Sequence, residues 1–163
     1  MIPVNRMNRV VIYCFGILGI FVVSILIRLP ALVNAEHFFF SDEAFMAVAI
    51  LELMNGSPIF FNYEGVTYHG VLGGITAIPF MKILGVGPLA YALPATLYYS
   101  LYVWSTYLLA KVIVPRMAFL VLILMIVPAP AVLSITLNNW PHIETAFLGN
   151  IIFLLFIYIK TNG

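Results

Sequence analysis

Long uninterrupted stretches of apolar residues dominate the chain, and the first of them decides the class of protein. From Val10 to Ile27, 18 residues carry no charge and only three polar side chains, Tyr13, Cys14 and Ser24. A run of this length crosses the hydrocarbon of a bilayer, and it exceeds the core of a signal peptide, so we interpret it as a retained anchor. With 64% hydrophobic and 8% charged residues, the composition excludes a soluble core and predicts an all-α integral membrane protein.

Three later runs predict further membrane spans. Leu89 to Ala110 is closed by Lys111, and Met117 to Leu137 follows after a short link, so the two form a helical hairpin. Ile143 to Ile159 is a shorter final run. The sequence therefore predicts four transmembrane helices, at about 10–29, 89–110, 117–137 and 143–160.

The segment 71–86 is only marginally long enough to span, and it is interrupted by Gly73, Gly74, Pro79 and Lys82. If it does not cross, five of the seven Lys/Arg residues share the side of the N-terminus: Arg6, Arg9, Lys111, Arg116 and Lys160. This distribution obeys the positive-inside rule and places the N-terminus in the cytoplasm. We therefore predict an interfacial or re-entrant helix over 71–85, within an external loop over 30–88.

On this topology all six carboxylates face the periplasm, the extracellular space or a lumen: Glu36, Asp42, Glu43, Glu52, Glu64 and Glu144. A belt of solvated charges would mix both signs, so the gathering of all the acids on one face is the pattern of a site. Loops as long as 30–88 are usually functional. We therefore expect the function of the chain to reside on this face.

A second surface helix is predicted from Asp42 to Asn55, with Ser41 as its N-cap and Gly56 and Pro58 after its end. Asp42 and Glu43 occupy its first turn, where the helix dipole favours ionised carboxylates. As neighbours on a helix they point about 100° apart, so we expect them to have different tasks. The alternative is that both acids merely stabilise the helix start.

The last span starts in the same way. An external turn over residues 138–142 contains Asn139, Trp140 and His142, and Glu144 follows in the first turn of the helix. A carboxylate that enters a span is energetically costly, which favours a functional role. The alternative is an interfacial acid that stays hydrated, with Trp140 as an ordinary belt residue.

Several short motifs lie within residues 28–85: Arg28-Leu29-Pro30, Ser41-Asp42-Glu43-Ala44, Leu53-Met54-Asn55-Gly56, Tyr63-Glu64-Gly65, Ile78-Pro79-Phe80 and Ile83-Leu84-Gly85. Together they resemble the N-terminal part of the GT-C membrane glycosyltransferases. The branch is that of the protein O-mannosyltransferases and aminoarabinose transferases, including proteins of the dolichyl-phosphate-mannose type. The most specific motif is the Asp-Glu pair with its hydrophobic helix.

The resemblance implies that Asp42 is the catalytic carboxylate, with Glu43 beside it and Glu144 as a second acid. It also implies a sugar donor on a polyprenyl phosphate and transfer, with inversion, to a hydroxyl of a protein, lipid or glycan at the external face. Polyprenyl phosphate is a good leaving group, so the protein mainly needs a general base for the acceptor. Members of the family have about twice as many spans, so we expect this chain to be an N-terminal portion.

Candidate substrate contacts lie on the same face. Arg28 and Lys82 are the external cations available for the donor phosphate, although snorkelling to the interface is the alternative for both. Sugar contacts are predicted for Glu64, Tyr68 and His69, with loop packing as the alternative, and for Asn139 and His142.

Whether the site uses a divalent metal ion is left open; its ligands would be Asp42, His142 and Glu144. The net charge of +1, with scattered cations, argues against a nucleic-acid partner. Two other classes remain as alternatives to an enzyme, namely a transporter subunit and a non-catalytic scaffold. An inactive fragment of the transferase is a third.

Overall fold

A 26-residue helix, Pro88–Ile113, contacts most of the other helices. The computed structural model describes residues 6–39, 41–58, 62–63, 66–127 and 141–162. Short 3-10 helices cover Ala35–Phe38 and Pro115–Met117. The α-helices are α1 Arg6–Val33, α2 Ser41–Met54, α3 Leu72–Leu84, α4 Pro88–Ile113, α5 Ala118–Ile126 and α6 Pro141–Asn162. The prediction that the chain is mainly α-helical is therefore confirmed.

The directions of the helices follow from side-chain contacts along α4. Gly16 lies against the ring of Trp104, and Arg28 lies over the ring of Tyr99, so α1 runs antiparallel to α4. The side chain of Asn150 on α6 donates hydrogen bonds to Ser105 Oγ (3.1 Å) and Thr106 Oγ1 (2.8 Å) on α4. Glu144, nearly two turns earlier on α6, lies near Tyr98. Hence α6 runs parallel to α4.

α2 and α3 lie close to the positions predicted for two short helices. Glycines follow both of them, and the φ angles of Gly56 (+98°) and Gly85 (+88°) are positive, which glycine adopts without strain. Met46 and Ile50 of α2 share an apolar cluster with Ala77 and Met81 of α3 and with Tyr91 of α4. α3 therefore bridges α2 and the first half of α4.

Between α2 and α3 the chain forms a pair of antiparallel strands, β1 Asn62–Tyr63 and β2 Val66–Gly70. These strands were not predicted from the sequence. α1 also extends beyond its predicted end near residue 29, because Pro30 lies inside the helix and does not stop it. The Asn34 side chain then donates a hydrogen bond of 2.7 Å to the Pro30 carbonyl at the helix end.

Two of the described helices are long and apolar enough to cross a membrane, over Tyr13–Val33 and His142–Thr161. The first range overlaps the first predicted span, at about 10–29, and the second contains the last one, at about 143–160. α4 has the necessary length but is less apolar, and the apolar helical stretch Pro115–Ile126 covers only part of the predicted third span. Residues 128–137 of that span lie outside the described part of the chain. The total of four spans thus stays a prediction.

Candidate functional site

The two acids at the start of α2 have opposite environments. Asp42 is exposed, whereas Glu43 is only 2% exposed and lies on the inward face of α2 with Met46 and Ile50. This confirms the expectation, drawn from helix geometry, that the two side chains point in different directions. Of the pair, Asp42 is the carboxylate that a molecule outside the protein can reach.

Glu144 is buried at the junction of three helices. It is 4% exposed, and its carboxylate accepts a hydrogen bond from the backbone N–H of Gly73 in the first turn of α3. On α4, Tyr98 lies close enough to interact electrostatically with Glu144, and its side chain is hydrogen-bonded to that of Thr76 on α3. Glu144 thus faces the start of α3 rather than open solvent.

Arg28 lies in the interior, which the sequence analysis did not anticipate. Arg28 is 0% exposed, and its guanidinium carbon lies 3.9 Å from the centroid of the Tyr99 ring. Tyr99 in turn donates a hydrogen bond to the backbone carbonyl of Met125 on α5. The snorkelling interpretation is therefore wrong for Arg28, because the aromatic face of Tyr99 holds its charged group between α1 and α4.

The other predicted contacts divide into accessible groups and residues that the structure does not describe. Lys82 in the last turn of α3 and His142 in the first turn of α6 are both exposed. Tyr68 and His69 belong to β2, and their side chains lie outside the described part of the chain. Glu64 and Asn139 lie outside it altogether.

The predicted ligand set for a metal ion does not assemble. Asp42, His142 and Glu144 all belong to the described part of the chain, and within it no group of three or more His, Cys, Asp or Glu side chains could hold a metal ion. The reason is the orientation of Glu144, which is buried against the Gly73 amide while Asp42 and His142 are exposed. In the described part of the chain these three side chains therefore do not form one group of ligands, and the question of a metal ion stays open.

An apolar groove of about 220 Å³ lies between α2, α3 and the start of α4. Ala47, Leu51, Met81 and Tyr91 are among the residues that line it. Leu51 follows Asp42 by nine positions, which at about 100° per residue places it on the opposite side of α2. The groove and the exposed carboxylate therefore do not form one pocket.

Polar side chains within the bundle are a further feature that the sequence analysis missed. Ser24 on α1 and Thr96, Ser100 and Ser105 on α4 are buried. The available sequence signal was spacing, since Ser24 and Arg28 are four residues apart on α1, as are Thr96 and Ser100 on α4, and such pairs share a helical face.

Comparisons with protein-family models, curated proteins and solved structures find no match to this chain.

Proposed function

We propose that this chain is the N-terminal part of a membrane glycosyltransferase of the GT-C type, with Asp42 as its general base. The enzyme transfers a sugar, with inversion, from a polyprenyl phosphate to an acceptor hydroxyl at the external or lumenal face. The observation that carries the proposal is the exposure of Asp42 in the first turn of α2, beside a buried Glu43. An accessible carboxylate is what deprotonation of an acceptor hydroxyl requires.

The residue roles follow from accessibility. Lys82 is exposed and is the cation that we assign to the donor phosphate, where it would stabilise the charge that develops on the leaving group. Arg28 is fully buried against Tyr99, so its role is to join α1 to α4. Glu43 points inward and positions α2, which leaves Asp42 as the carboxylate of this pair that meets the acceptor.

The test of this proposal is Asp42→Asn in the full-length protein, reconstituted into liposomes with undecaprenyl-phosphate-linked mannose as donor. Because a general base contributes about 100-fold or more to the rate, we expect transfer to fall by at least that factor. Glu52→Gln is the matched control, since Glu52 is an exposed acid on the same helix and should be replaceable without loss. Transfer at the wild-type rate by the Asp42→Asn protein would exclude Asp42 as the base.

A non-catalytic subunit of a transporter or scaffold is the alternative. Charged groups within the spans are typical of transporters, and Arg28 and Glu144 are both buried within helices of spanning length. In such a subunit Asp42 takes part in no chemical reaction. Asp42→Asn and Glu52→Gln would then behave alike in every assay, whereas the proposed transferase separates them.

A further inference from the structure

The first turn of α3 requires a hydrogen-bond acceptor from elsewhere in the protein. The first four backbone N–H groups of an α-helix have no partner within the helix, and side chains or water usually satisfy them. Val71 precedes α3 and makes no side-chain capping bond. Gly73 and Gly74 follow and are buried, so water has little access to their amides. The acceptor must therefore come from another element.

Glu144 supplies this acceptor from α6. Its buried carboxylate accepts the hydrogen bond of the Gly73 N–H. The contact therefore satisfies two buried polar groups at once, one on α3 and one on α6.

α3 is attached to its neighbours at both ends. At its start, the side chain of Thr76 is hydrogen-bonded to that of Tyr98 on α4, while its hydroxyl also donates within α3 to the carbonyl oxygens of Leu72 (3.1 Å) and Gly73 (2.8 Å). Toward its end, Ala77 and Met81 share the apolar cluster with α2. A displacement of the start of α3 would consequently be transmitted to the helix that begins with Asp42.

We infer that Glu144 is a positioning residue that caps the start of α3 from α6 and so holds α2 and Asp42 in place. This role differs from the catalytic one that the resemblance implies for Glu144. The inference deepens the proposed function, on which its consequence for Asp42 rests. The capping contact itself does not depend on any enzymatic activity.

Two conservative substitutions separate capping from acid chemistry. Glu144→Gln keeps a carbonyl oxygen at the same reach but removes the charge. Glu144→Asp keeps the charge but withdraws the carboxylate by about 1.5 Å, the length of one C–C bond. Capping requires a side chain long enough for its oxygen to reach the N–H of Gly73. The glutamine protein should therefore resemble the wild type, and the aspartate protein should not. A catalytic acid or a metal ligand requires charge. If Glu144 had such a role, the aspartate protein should resemble the wild type and the glutamine protein should not.

The measurement is amide hydrogen exchange of peptides that cover 71–80, with the full-length protein in lipid nanodiscs. The amides at the start of α3 should exchange about tenfold faster in the Glu144→Asp protein, which is the effect expected for a lost buried hydrogen bond. Exchange in the Glu144→Gln protein should stay near the wild-type rate. Unchanged exchange in the aspartate protein, or faster exchange in the glutamine protein alone, would overturn the capping role.

Sugar transfer is the second readout, made on the same preparations. The Glu144→Gln protein should keep most of the wild-type transfer rate, whereas the Asp42→Asn protein should lose it. Loss of transfer by Glu144→Gln with wild-type exchange at 71–80 would contradict the inference and restore a catalytic role. If the wild type transfers no sugar, the proposed function fails, and the exchange experiment still decides the role of Glu144.

Discussion

Gly16 determines how closely α1 approaches α4. A Cβ atom at this position would lie 2.8 Å from the outer edge of the Trp104 ring, well inside van der Waals contact, whereas a Cβ at Gly19 would meet nothing within 4 Å. Small residues at such crossings allow close packing of helices in membranes. The two glycines of one helix therefore form a matched pair for a packing test.

We expect Gly16→Ala to lower the free energy of unfolding by about 1–3 kcal/mol, the usual range for overpacking. Gly19→Ala should be neutral or raise it by up to about 1 kcal/mol, because alanine favours the helix. Reversible unfolding in mixed micelles with increasing SDS measures both changes. Equal effects of the two substitutions would show that the Trp104 contact does not limit the packing.

Single residues also show how far the sequence predicts the site. The divergence of Asp42 and Glu43 could be predicted because it depends only on the angle between neighbours on a helix. The burial of Arg28 could not, since its partner Tyr99 lies 71 positions further along the chain. The position of Arg28 at the end of an apolar run indicates its depth in a membrane. It does not indicate which side of the helix packs against a neighbouring helix.

At the scale of helices, Asn150 forms a polar contact between α4 and α6 through Ser105 and Thr106. We expect Asn150→Leu to lower the free energy of unfolding by about 1 kcal/mol, since hydrogen bonds between membrane helices typically contribute from about 0.6 to 1.7 kcal/mol. A double-mutant cycle with Ser105→Ala and Thr106→Val isolates this contribution. If the changes in the free energy of unfolding caused by the single substitutions simply add in the combined variants, the contact makes no contribution.

The helices that the sequence predicted best are those with local stop signals. α2 and α3 end beside Gly56 and Gly85, whose positive φ angles terminate a helix whatever lies around it. The β1–β2 pair was missed because strands of two and five residues are too short for alternation to be evident. The burial of Glu144 against Gly73 depends on tertiary packing between α6 and α3, which no local pattern in either segment indicates.

At the scale of the whole molecule, α1 and α4 are antiparallel and α4 and α6 are parallel, as the four-span topology requires. Two exposed positions can test the proposed orientation: Ser57 after α2, and Met117 between α4 and α5. Cysteines at these sites would lie on opposite sides of the membrane. Cys14 is exposed on α1 and must first be replaced by alanine.

We expect Ser57→Cys to react with a membrane-impermeant maleimide in intact cells, and Met117→Cys to react only after permeabilisation. The reason is the charge distribution, from which the positive-inside rule predicts that Lys111 and Arg116 are cytoplasmic. The Cys14→Ala protein without a new cysteine is the blank. Labelling of both positions from the same side would overturn the orientation of the external loop and, with it, the location of Asp42.

The central helix has a consequence for how the protein is made. α4 carries five of the nine tyrosines and several buried hydroxyls, and it contacts α1, α3, α5 and α6. Such a segment is poorly suited to leave the translocon alone, because its polar side chains would meet acyl chains before any protein partner arrives. We therefore expect α1 to stay beside the exit site until α4 has been synthesised, so that the two helices enter the bilayer as a pair.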